Sequence, residues 1–275
     1  MNTYTHPILT FIGGGNMASA IIGGLFRQGH PASAVQVVEP WDGQRAKLAQ
    51  QFPGVAVLPA ASAALKPSDL VVWAVKPQTF KDAAAATRAF VTGALHLSVA
   101  AGITSDSIAA WLGSERIVRA MPNTPALVGL GMTGLMARAA VSADDQALVE
   151  RVLRSTGELV WVKVERDLDA VTALSGSGPA YVFYFLEAMR DAGARMGLTP
   201  EVAQQLAIGT FIGAATLAQR SSEPLQTLRE RVTSKGGTTF AALTSMDASG
   251  VKTKFEEALF AAQKRAEELG REFGK

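Results

Sequence analysis

Short β-branched segments alternate with helical patterns over about the first 165 residues of the chain. The predicted strands are Ile8–Ile12, Val35–Val38, Val55–Leu58, Leu70–Val75, Leu95–Val99, Ile117–Ala120, Met132–Met136 and Leu159–Val162. The helical patterns between several of these strands are Asn16–Gln28, Gln44–Gln51, Phe80–Phe90, Ser107–Leu112 and Asp144–Ser155. Because a helix between two strands returns the chain in the same direction, this alternation predicts an α/β fold with a mostly parallel, doubly wound sheet.

The strand patterns end near Asp167, and the rest of the chain shows only helical spacing. Three prolines, Pro179, Pro200 and Pro224, stand where the first turn of a helix tolerates proline. The sequence therefore predicts two domains, an α/β domain over residues 1–164 and an all-α domain over residues 165–275. A length of 275 residues agrees with two domains rather than one.

Charge and cysteine content exclude several classes of protein. The chain has 26 basic and 24 acidic residues and no basic patch, so nucleic acid is a poor partner. It has no cysteine, which excludes disulfides, thiolate nucleophiles and cysteine-based zinc sites. The uncharged segment Ile8–Phe26 is rich in glycine and follows no basic residue, so we do not interpret it as a signal peptide or a membrane span. We expect a cytoplasmic protein.

A glycine-rich turn follows the first predicted strand. In the segment "FIGGGNMASA", Gly13, Gly15 and Ala18 form a G-x-G-x-x-A pattern between a strand and a helix. Gly13 suits the tight turn, Gly15 lets a pyrophosphate approach the backbone, and Ala18 allows the helix to pack closely on the strand. The amides at the helix start then attract phosphate. The pattern favours dinucleotide binding in a Rossmann-type domain.

The residues after the second strand bear on the choice of dinucleotide. Glu39 lies about 20 residues beyond the glycine motif, where an acidic side chain usually binds the ribose 2′-hydroxyl of NAD. Arg45 is near enough to meet the 2′-phosphate of NADP instead. Either NADPH or NADH is therefore compatible with the sequence.

Two further polar loops follow strands at the carboxyl edge, where open α/β sheets bind ligands. "AVKPQ" contains Lys76, and "AMPNTPA" contains Asn123 and Thr124. These side chains are of the size that ribose and carboxamide groups require, and the prolines stiffen both loops. The shared edge makes them candidates for the same cofactor site.

The sequence offers no obvious base for the oxidation of an alcohol. His6, His30 and His96 all lie in the first half at positions that suggest structural roles, and no lysine occurs in the helix start "SGSGPAYVFYFLEAM" before Arg190. A protonated imine already has an electrophilic carbon. Its reduction needs a hydride, correct orientation and a hydrogen-bonding partner for nitrogen. Reduction of a C=N bond is therefore favoured over alcohol oxidation.

Taken together, the motifs resemble those of the pyrroline-5-carboxylate reductase family. The resemblance includes "FIGGGNMA", "AVKPQ", "MPNTPA", "LSGSGPAY" and "RVTSKGGTT", in the family's order and over nearly the whole length. It implies NAD(P)H-dependent reduction of L-1-pyrroline-5-carboxylate to L-proline, a Rossmann domain followed by a helical dimerisation domain, and a homodimer that can assemble further. Gly209 and Gly213, four residues apart, suit either a tight bundle within one chain or helices buried against a second subunit.

The resemblance also implies roles for individual residues. The implied cofactor-binding residues are Gly13, Gly15, Asn16, Met17, Ala18, Ala74, Lys76, Pro77, Met121, Asn123 and Pro125, with Glu39 added from the spacing argument above. The implied substrate-binding residues are Ser177, Gly178, Pro179, Ser234, Gly236, Gly237, Thr238 and Thr239. The amides of Gly237, Thr238 and Thr239 would bind the carboxylate, and the Thr239 hydroxyl would lie near the ring nitrogen as the catalytic group. No metal is implied.

Two departures from the family pattern concern the substrate turn and the cofactor. Lys235 stands where many members have proline, and Glu39 does not obviously suit the NADPH that many members favour. Two other functions remain as alternatives: a dehydrogenase or imine reductase acting on a different small acid, and a non-catalytic nucleotide-binding protein whose helical half serves only for assembly.

Overall fold

The chain up to Trp161 folds into one eight-stranded sheet in a computed structural model that describes residues 6–274. The strands are β1 Leu9–Ile12, β2 Val35–Val38, β3 Ala56–Leu58, β4 Leu70–Trp73, β5 Leu95–Ser98, β6 Ile117–Met121, β7 Gly131–Ala137 and β8 Gly157–Trp161. Their order is β3-β2-β1-β4-β5-β6-β7-β8, and every adjacent pair is parallel except β6 and β7. The predicted mostly parallel sheet is confirmed.

Helices connect most of these strands. They are α1 Asn16–Arg27, α2 Asp42–Gln51, α3 Pro77–Thr87, α4 Ser105–Leu112 and α5 Ala143–Leu153. The prediction for α3 was wrong by three residues at each end. The predicted range was Phe80–Phe90, whereas the helix in the structure is Pro77–Thr87. Proline has its φ angle set for the first helical position and needs no amide donor there, so Pro77 begins the helix instead of belonging to the preceding loop.

The sheet separates two hydrophobic clusters. Successive side chains of a strand point to opposite faces, so Phe11 joins one cluster and Ile12 the other. The first cluster includes Ile21 of α1, and the second includes Phe80 of α3 and Ile108 of α4. Strands β1, β2, β4 and β5 are buried along their whole length, as expected for parallel strands covered on both faces.

From Asp167 onward the described part of the chain is helical, as predicted. Its helices are α6 Asp167–Val171, α7 Gly178–Arg195, α8 Pro200–Arg220, α9 Leu225–Arg231, α10 Thr238–Ala248 and α11 Val251–Phe273, with a π-helical turn at Thr172–Gly176. The chain divides into two compact units, one containing residues up to 177 together with those from 262 onward, and one containing residues 178–261. This grouping assigns residues 165–177 and the end of α11 to the sheet-bearing unit, whereas the sequence placed them in the helical domain. The division at 164/165 stays a prediction.

The end of α11 packs on the sheet-bearing unit. Phe273 contacts the second hydrophobic cluster, and the Ser107 hydroxyl donates to the Gly274 carbonyl over 2.6 Å. Gly102 has a φ of +70°, and a Cβ there would lie 3.0 Å from the Cβ of Leu269. These contacts attach the last turns of α11 to the loop that precedes α4. Within residues 6–274, no helix combines the length and apolar character needed to cross a membrane.

Candidate functional site

The strand order creates a crevice where the chain direction across the sheet reverses. β1 lies between β2 and β4, so the loops that follow these three strands meet at one edge. The Gly13 amide donates to the Val38 carbonyl over 2.8 Å, and the Ala74 amide donates to the Ile12 carbonyl over the same distance. Open α/β sheets bind ligands at this reversal, outside the carboxyl ends of the strands.

The glycine turn after β1 depends on the absence of side chains. Gly13 has a φ of +91°, and a Cβ on it would lie 2.6 Å from the Ala74 carbonyl oxygen. Gly15 differs, because a Cβ there would have no heavy atom of the described chain within 4 Å. Packing within the protein therefore explains why residue 13 is a glycine, but it leaves open space beside Gly15. That open space fits a pyrophosphate lying close to the backbone.

The start of α1 supplies the donors for such a phosphate. Gly15 is the N-cap and has no side chain to occupy the first-turn amides. The backbone N–H groups of Asn16 and Met17 stand at this helix end, where the helix dipole favours an anion. Ala18 is completely buried and packs in the cluster with β1, as the motif predicts. The predicted residues Gly13, Gly15, Asn16, Met17 and Ala18 thus form one turn.

Glu39 lies against this turn. Its Oε2 accepts the Gly14 amide over 2.9 Å, and its Oε1 accepts the Trp41 amide over 3.0 Å. Arg45 donates to the carbonyls of Glu39 and Pro40 over 3.0 and 2.7 Å, and it also pairs with a neighbouring aspartate. The acid is held at the ribose end of the predicted site, and the guanidinium is already bound by its own loop.

The loop after β4 begins a helix. Lys76 is the N-cap of α3 and is exposed, and Pro77 occupies the first turn. The Thr79 hydroxyl donates to the Lys76 carbonyl over 3.1 Å, which closes this turn. Ala74 and Lys76 therefore stand on the same edge as Gly13, where the sequence analysis placed them.

The loop after β6 is bound to the π-helical turn. The Asn123 side chain donates to the Ser175 carbonyl over 3.1 Å and accepts the Met132 amide over 2.9 Å. A Cβ on Gly176 would lie 2.6 Å from Cε of Met121, so the methionine packs directly on that glycine. The Asn123 amide is thus engaged within the chain, and it fixes the loop in position. Sequence spacing gave no sign of these contacts.

Two features at this edge were missed by the sequence analysis. The loop 99–104 follows β5 and lies between the loops that follow β4 and β6. The Val99 amide donates to the Trp73 carbonyl over 3.1 Å. The rule that ligands bind at the carboxyl ends of strands was sufficient to identify it. Trp41 follows Glu39 by two residues and is 63% exposed, which is unusual for so large an apolar ring.

The turn "SKGGTT" begins α10 in the helical unit. The Gly237 amide donates to the Ser234 carbonyl over 3.0 Å, and Gly236 has a φ of +76°. A Cβ on Gly237 would lie 2.8 Å from the Ser234 hydroxyl. The family resemblance implies that the Gly237 amide binds the substrate carboxylate. In the structure this amide is bonded within the turn instead, which leaves the amides of Thr238 and Thr239 at the helix start.

The other predicted substrate residues lie around the start of α7. The Ser177 amide donates to the Thr172 carbonyl over 2.8 Å and closes the π-helical turn. Gly178 and Pro179 begin α7. Ser177 belongs to the sheet-bearing unit, whereas Gly178, Pro179 and the turn from Ser234 to Thr239 belong to the helical unit. Thr239 is half-buried, and Ser234 and Thr238 are exposed.

His96 lies inside the sheet, on β5. Its ring is 3% exposed, and its Nδ1 accepts the indole N–H of Trp73 over 3.3 Å. Burial, and after it the charge of Arg116, lowers the pKa of His96 to about 4. A neutral, enclosed imidazole of this kind supports the core and does not present a proton at the carboxyl edge.

Comparisons with known proteins give one consistent result. Residues 165–269 match the family described as pyrroline-5-carboxylate reductase dimerisation, and residues 8–102 match that described as NADP oxidoreductase coenzyme F420-dependent. The chain is 44% identical to a pyrroline-5-carboxylate reductase of Pseudomonas aeruginosa and 41% identical to one of Haemophilus influenzae. The first alignment covers 98% of each chain, and the second covers 96% of this chain and 98% of the other.

Solved structures agree with the sequence matches. A pyrroline-5-carboxylate reductase of Coxiella burnetii superimposes with a TM-score of 0.89 at 37% identity, covering 96% of this chain and 99% of the other. A pyrroline carboxylate reductase of Plasmodium falciparum with NADP bound gives 0.84 at 29% identity, covering 96% and 98%. With this agreement over nearly the full length in both sequence and structure, the chain belongs to the pyrroline-5-carboxylate reductase family.

Proposed function

We propose that the protein reduces L-1-pyrroline-5-carboxylate to L-proline with NADPH or NADH, as the last step of proline biosynthesis. The names of the relatives support this reaction, and the NADP-bound relative supports the cofactor class. Within this chain, the observation that carries the proposal is the turn from Ser234 to Thr239. It offers helix-start amides for a carboxylate and a hydroxyl for an imine nitrogen.

The glycine turn after β1 is suited to hold the dinucleotide. The amides of Asn16 and Met17 would bind the pyrophosphate, and Gly15 leaves the space it needs. Glu39 would accept from a ribose hydroxyl, with Ala74, Lys76, Pro77 and Met121 toward the nicotinamide end. When bound, the reduced nicotinamide supplies the hydride for the C=N carbon.

The start of α10 would bind and orient the substrate. The amides of Thr238 and Thr239 stand at the amino end of an 11-residue helix, where a carboxylate is favoured. Lys235 is exposed on the same turn and adds positive charge close to that anion. The contribution of these groups is binding and orientation, because the carboxylate does not change charge during the reduction.

The Thr239 hydroxyl is the group we assign to the ring nitrogen. It occupies the second position of α10 and is half-buried, so water competes less for it than for Thr238. A hydroxyl can accept a hydrogen bond from the protonated imine and donate one to the amine of the product. This exchange keeps the nitrogen oriented while its charge and geometry change.

The test compares two neighbouring threonines. Thr239→Val keeps the shape but removes the hydroxyl, and we expect kcat to fall about ten- to a hundredfold with little change in NADPH affinity. Thr238→Val is the matched control, because it removes an exposed hydroxyl from the same turn and keeps the backbone amide. Turnover by Thr239→Val close to that of Thr238→Val would remove Thr239 from the mechanism.

The substrate itself is tested by the choice of assay. Consumption of NADH and of NADPH is followed with pyrroline-5-carboxylate, and the reverse oxidation of a hydroxy acid serves as control. Turnover with the hydroxy acid alone would favour a dehydrogenase of similar fold. Binding of either dinucleotide without any turnover would favour the non-catalytic alternative.

We also propose that the helical unit forms a homodimer. Large apolar side chains are exposed along α7 and α8, among them Phe183 at 60%, Tyr184 at 70%, Ile212 at 64% and Leu217 at 70%. Exposure on this scale is unusual in a monomer, and the matching family is described by its dimerisation. Sedimentation of the wild type and of Ile212→Asp tests the proposal, and a wild-type monomer at micromolar concentration would contradict it. A higher oligomer of dimers and a cytoplasmic location stay predictions.

A further inference from the structure

Trp41 is the most exposed of the four tryptophans in the chain. Its side chain is 63% exposed, whereas Trp73 is fully buried and Trp111 and Trp161 are half-buried. It lies in the loop between β2 and α2, at the carboxyl edge of the sheet where the dinucleotide turn also lies. Nothing in the core explains an indole in this position.

The backbone of Trp41 is connected to the phosphate turn through one carboxylate. Glu39 accepts the Trp41 amide through Oε1 over 3.0 Å and the Gly14 amide through Oε2 over 2.9 Å. The Gln44 side chain donates to the Gly14 carbonyl over 2.6 Å, which adds a second connection between the two loops. The backbone at Trp41 is therefore held close to Gly14 and the start of α1.

The indole ring is also held from the side of α2. A Cβ on Gly43 would lie 3.0 Å from Cζ2 of Trp41, so the ring edge packs on this glycine. The Lys47 ammonium lies 5.8 Å from the ring centroid, a distance at which it is attracted to the ring face. The ring is thus oriented before any ligand arrives, and most of its surface faces solvent.

We propose that Trp41 is the stacking platform for the adenine base of the dinucleotide. This inference rests on the proposed function, because it assumes that Glu39 marks the adenosine ribose. Adenine is bonded directly to that ribose, so the base must lie within a few ångströms of Glu39, on the side away from the pyrophosphate. Trp41 is the large apolar surface there, and a purine stacked on it would cover a ring that is otherwise hydrated.

Binding of the adenine half of the cofactor should depend on Trp41, and binding of the nicotinamide half should not. Stacking on adenine does not involve the 2′ position, so NADH and NADPH should depend on Trp41 to the same degree. Recognition of a 2′-phosphate by Lys47 would instead affect NADPH alone. Nicotinamide mononucleotide, which has no adenine, should not depend on Trp41 at all.

The experiment measures binding by calorimetry for Trp41→Ala, Trp41→Phe and the wild type. The probes are NADH, NADPH, ADP-ribose and nicotinamide mononucleotide. We expect Trp41→Ala to weaken the first three about tenfold or more and to leave the mononucleotide unchanged, while Trp41→Phe retains most of the affinity. Trp111→Phe is the control, because Trp111 also has a lysine ammonium about as close, 6.0 Å from its ring centroid, but lies on α4.

Fluorescence gives a second measurement that does not require turnover. ADP-ribose should quench the emission of the wild type and of Trp111→Phe, and the quenching should be lost in Trp41→Phe. Equal ADP-ribose affinity in wild type and Trp41→Ala would overturn the proposal, even if the wild type reduces pyrroline-5-carboxylate. A wild type that binds none of the three adenine probes would overturn both this inference and the proposed function.

Discussion

Replacing His96 with asparagine should make the stability of the protein much less sensitive to mild acid. In the folded chain the His96 imidazole is buried against Trp73, and burial lowers its pKa from the ordinary 6.5 to about 4. Between these values the unfolded chain binds a proton at His96 and the folded chain does not. The free energy of unfolding must then rise with pH across this window and fall as the solution is acidified.

The size of the effect follows from the two pKa values. One pKa unit corresponds to about 1.4 kcal/mol, so the interval from 6.5 to about 4 corresponds to about 3 kcal/mol of unfolding free energy. About 2 kcal/mol of this should already be lost at about pH 5. Asparagine does not titrate, and its side-chain oxygen can still accept the indole N–H of Trp73.

Urea unfolding at fixed protein concentration, followed from about pH 7.5 to about pH 5, measures the slope. Burial lowers the pKa of His30 as well, so both proteins should carry His30→Gln to remove its contribution. The free energy of unfolding of the His96→Asn protein should then change little with pH over this range. The protein that keeps His96 should lose about 2 kcal/mol. Equal slopes in the two proteins would refute the assignment of a neutral, buried imidazole to β5.

Four further changes have expected outcomes. Gly13→Ala places a Cβ 2.6 Å from a backbone oxygen at a φ of +91°, so calorimetry should show dinucleotide binding weakened at least about tenfold. Phe273→Ala removes a half-buried ring from the second cluster and should cost about 2 kcal/mol in urea unfolding. Lys235→Ala should raise the KM for pyrroline-5-carboxylate about two- to threefold at low salt and not at high salt. Ser142→Ala breaks the capping box of α5 and should cost about 1 kcal/mol, measured in the same way.

Local patterns were sufficient to predict the sheet. All eight predicted strands are present with ends shifted by at most two residues, because each is a short run of mostly apolar residues and four of them are buried along their whole length. The position of the glycine turn followed from the same information, since the motif specifies a strand, a turn and a helix within a few residues. The start of α3 differs from the prediction because Pro77 is the first residue of the helix and not part of a stiffened loop.

Contacts between distant residues were not predictable in this way. The bond from Gly14 to Glu39 joins residues that are 25 apart, and the bond from Asn123 to Ser175 joins residues that are 52 apart. Each depends on where a loop ends after folding, and no periodicity in the sequence encodes that. The hydrogen bond from the Gly237 amide to the Ser234 carbonyl was not predictable either, although the two residues are close in sequence. A motif identifies a turn, but it does not show which amides are bonded within that turn.

The return of α11 to the sheet-bearing unit affects how the chain can fold as it is synthesised. That unit takes its last contacts from residues 262–274, which leave the ribosome only after the whole helical unit has emerged. Until then the cluster that receives Phe273 has an uncovered apolar surface, even though all eight strands are already available. Domains usually fold in order from the amino terminus during synthesis. Here the first unit to appear is the last to be completed, so a ribosome stalled before Ala262 would hold a sheet that aggregates more readily than the finished protein.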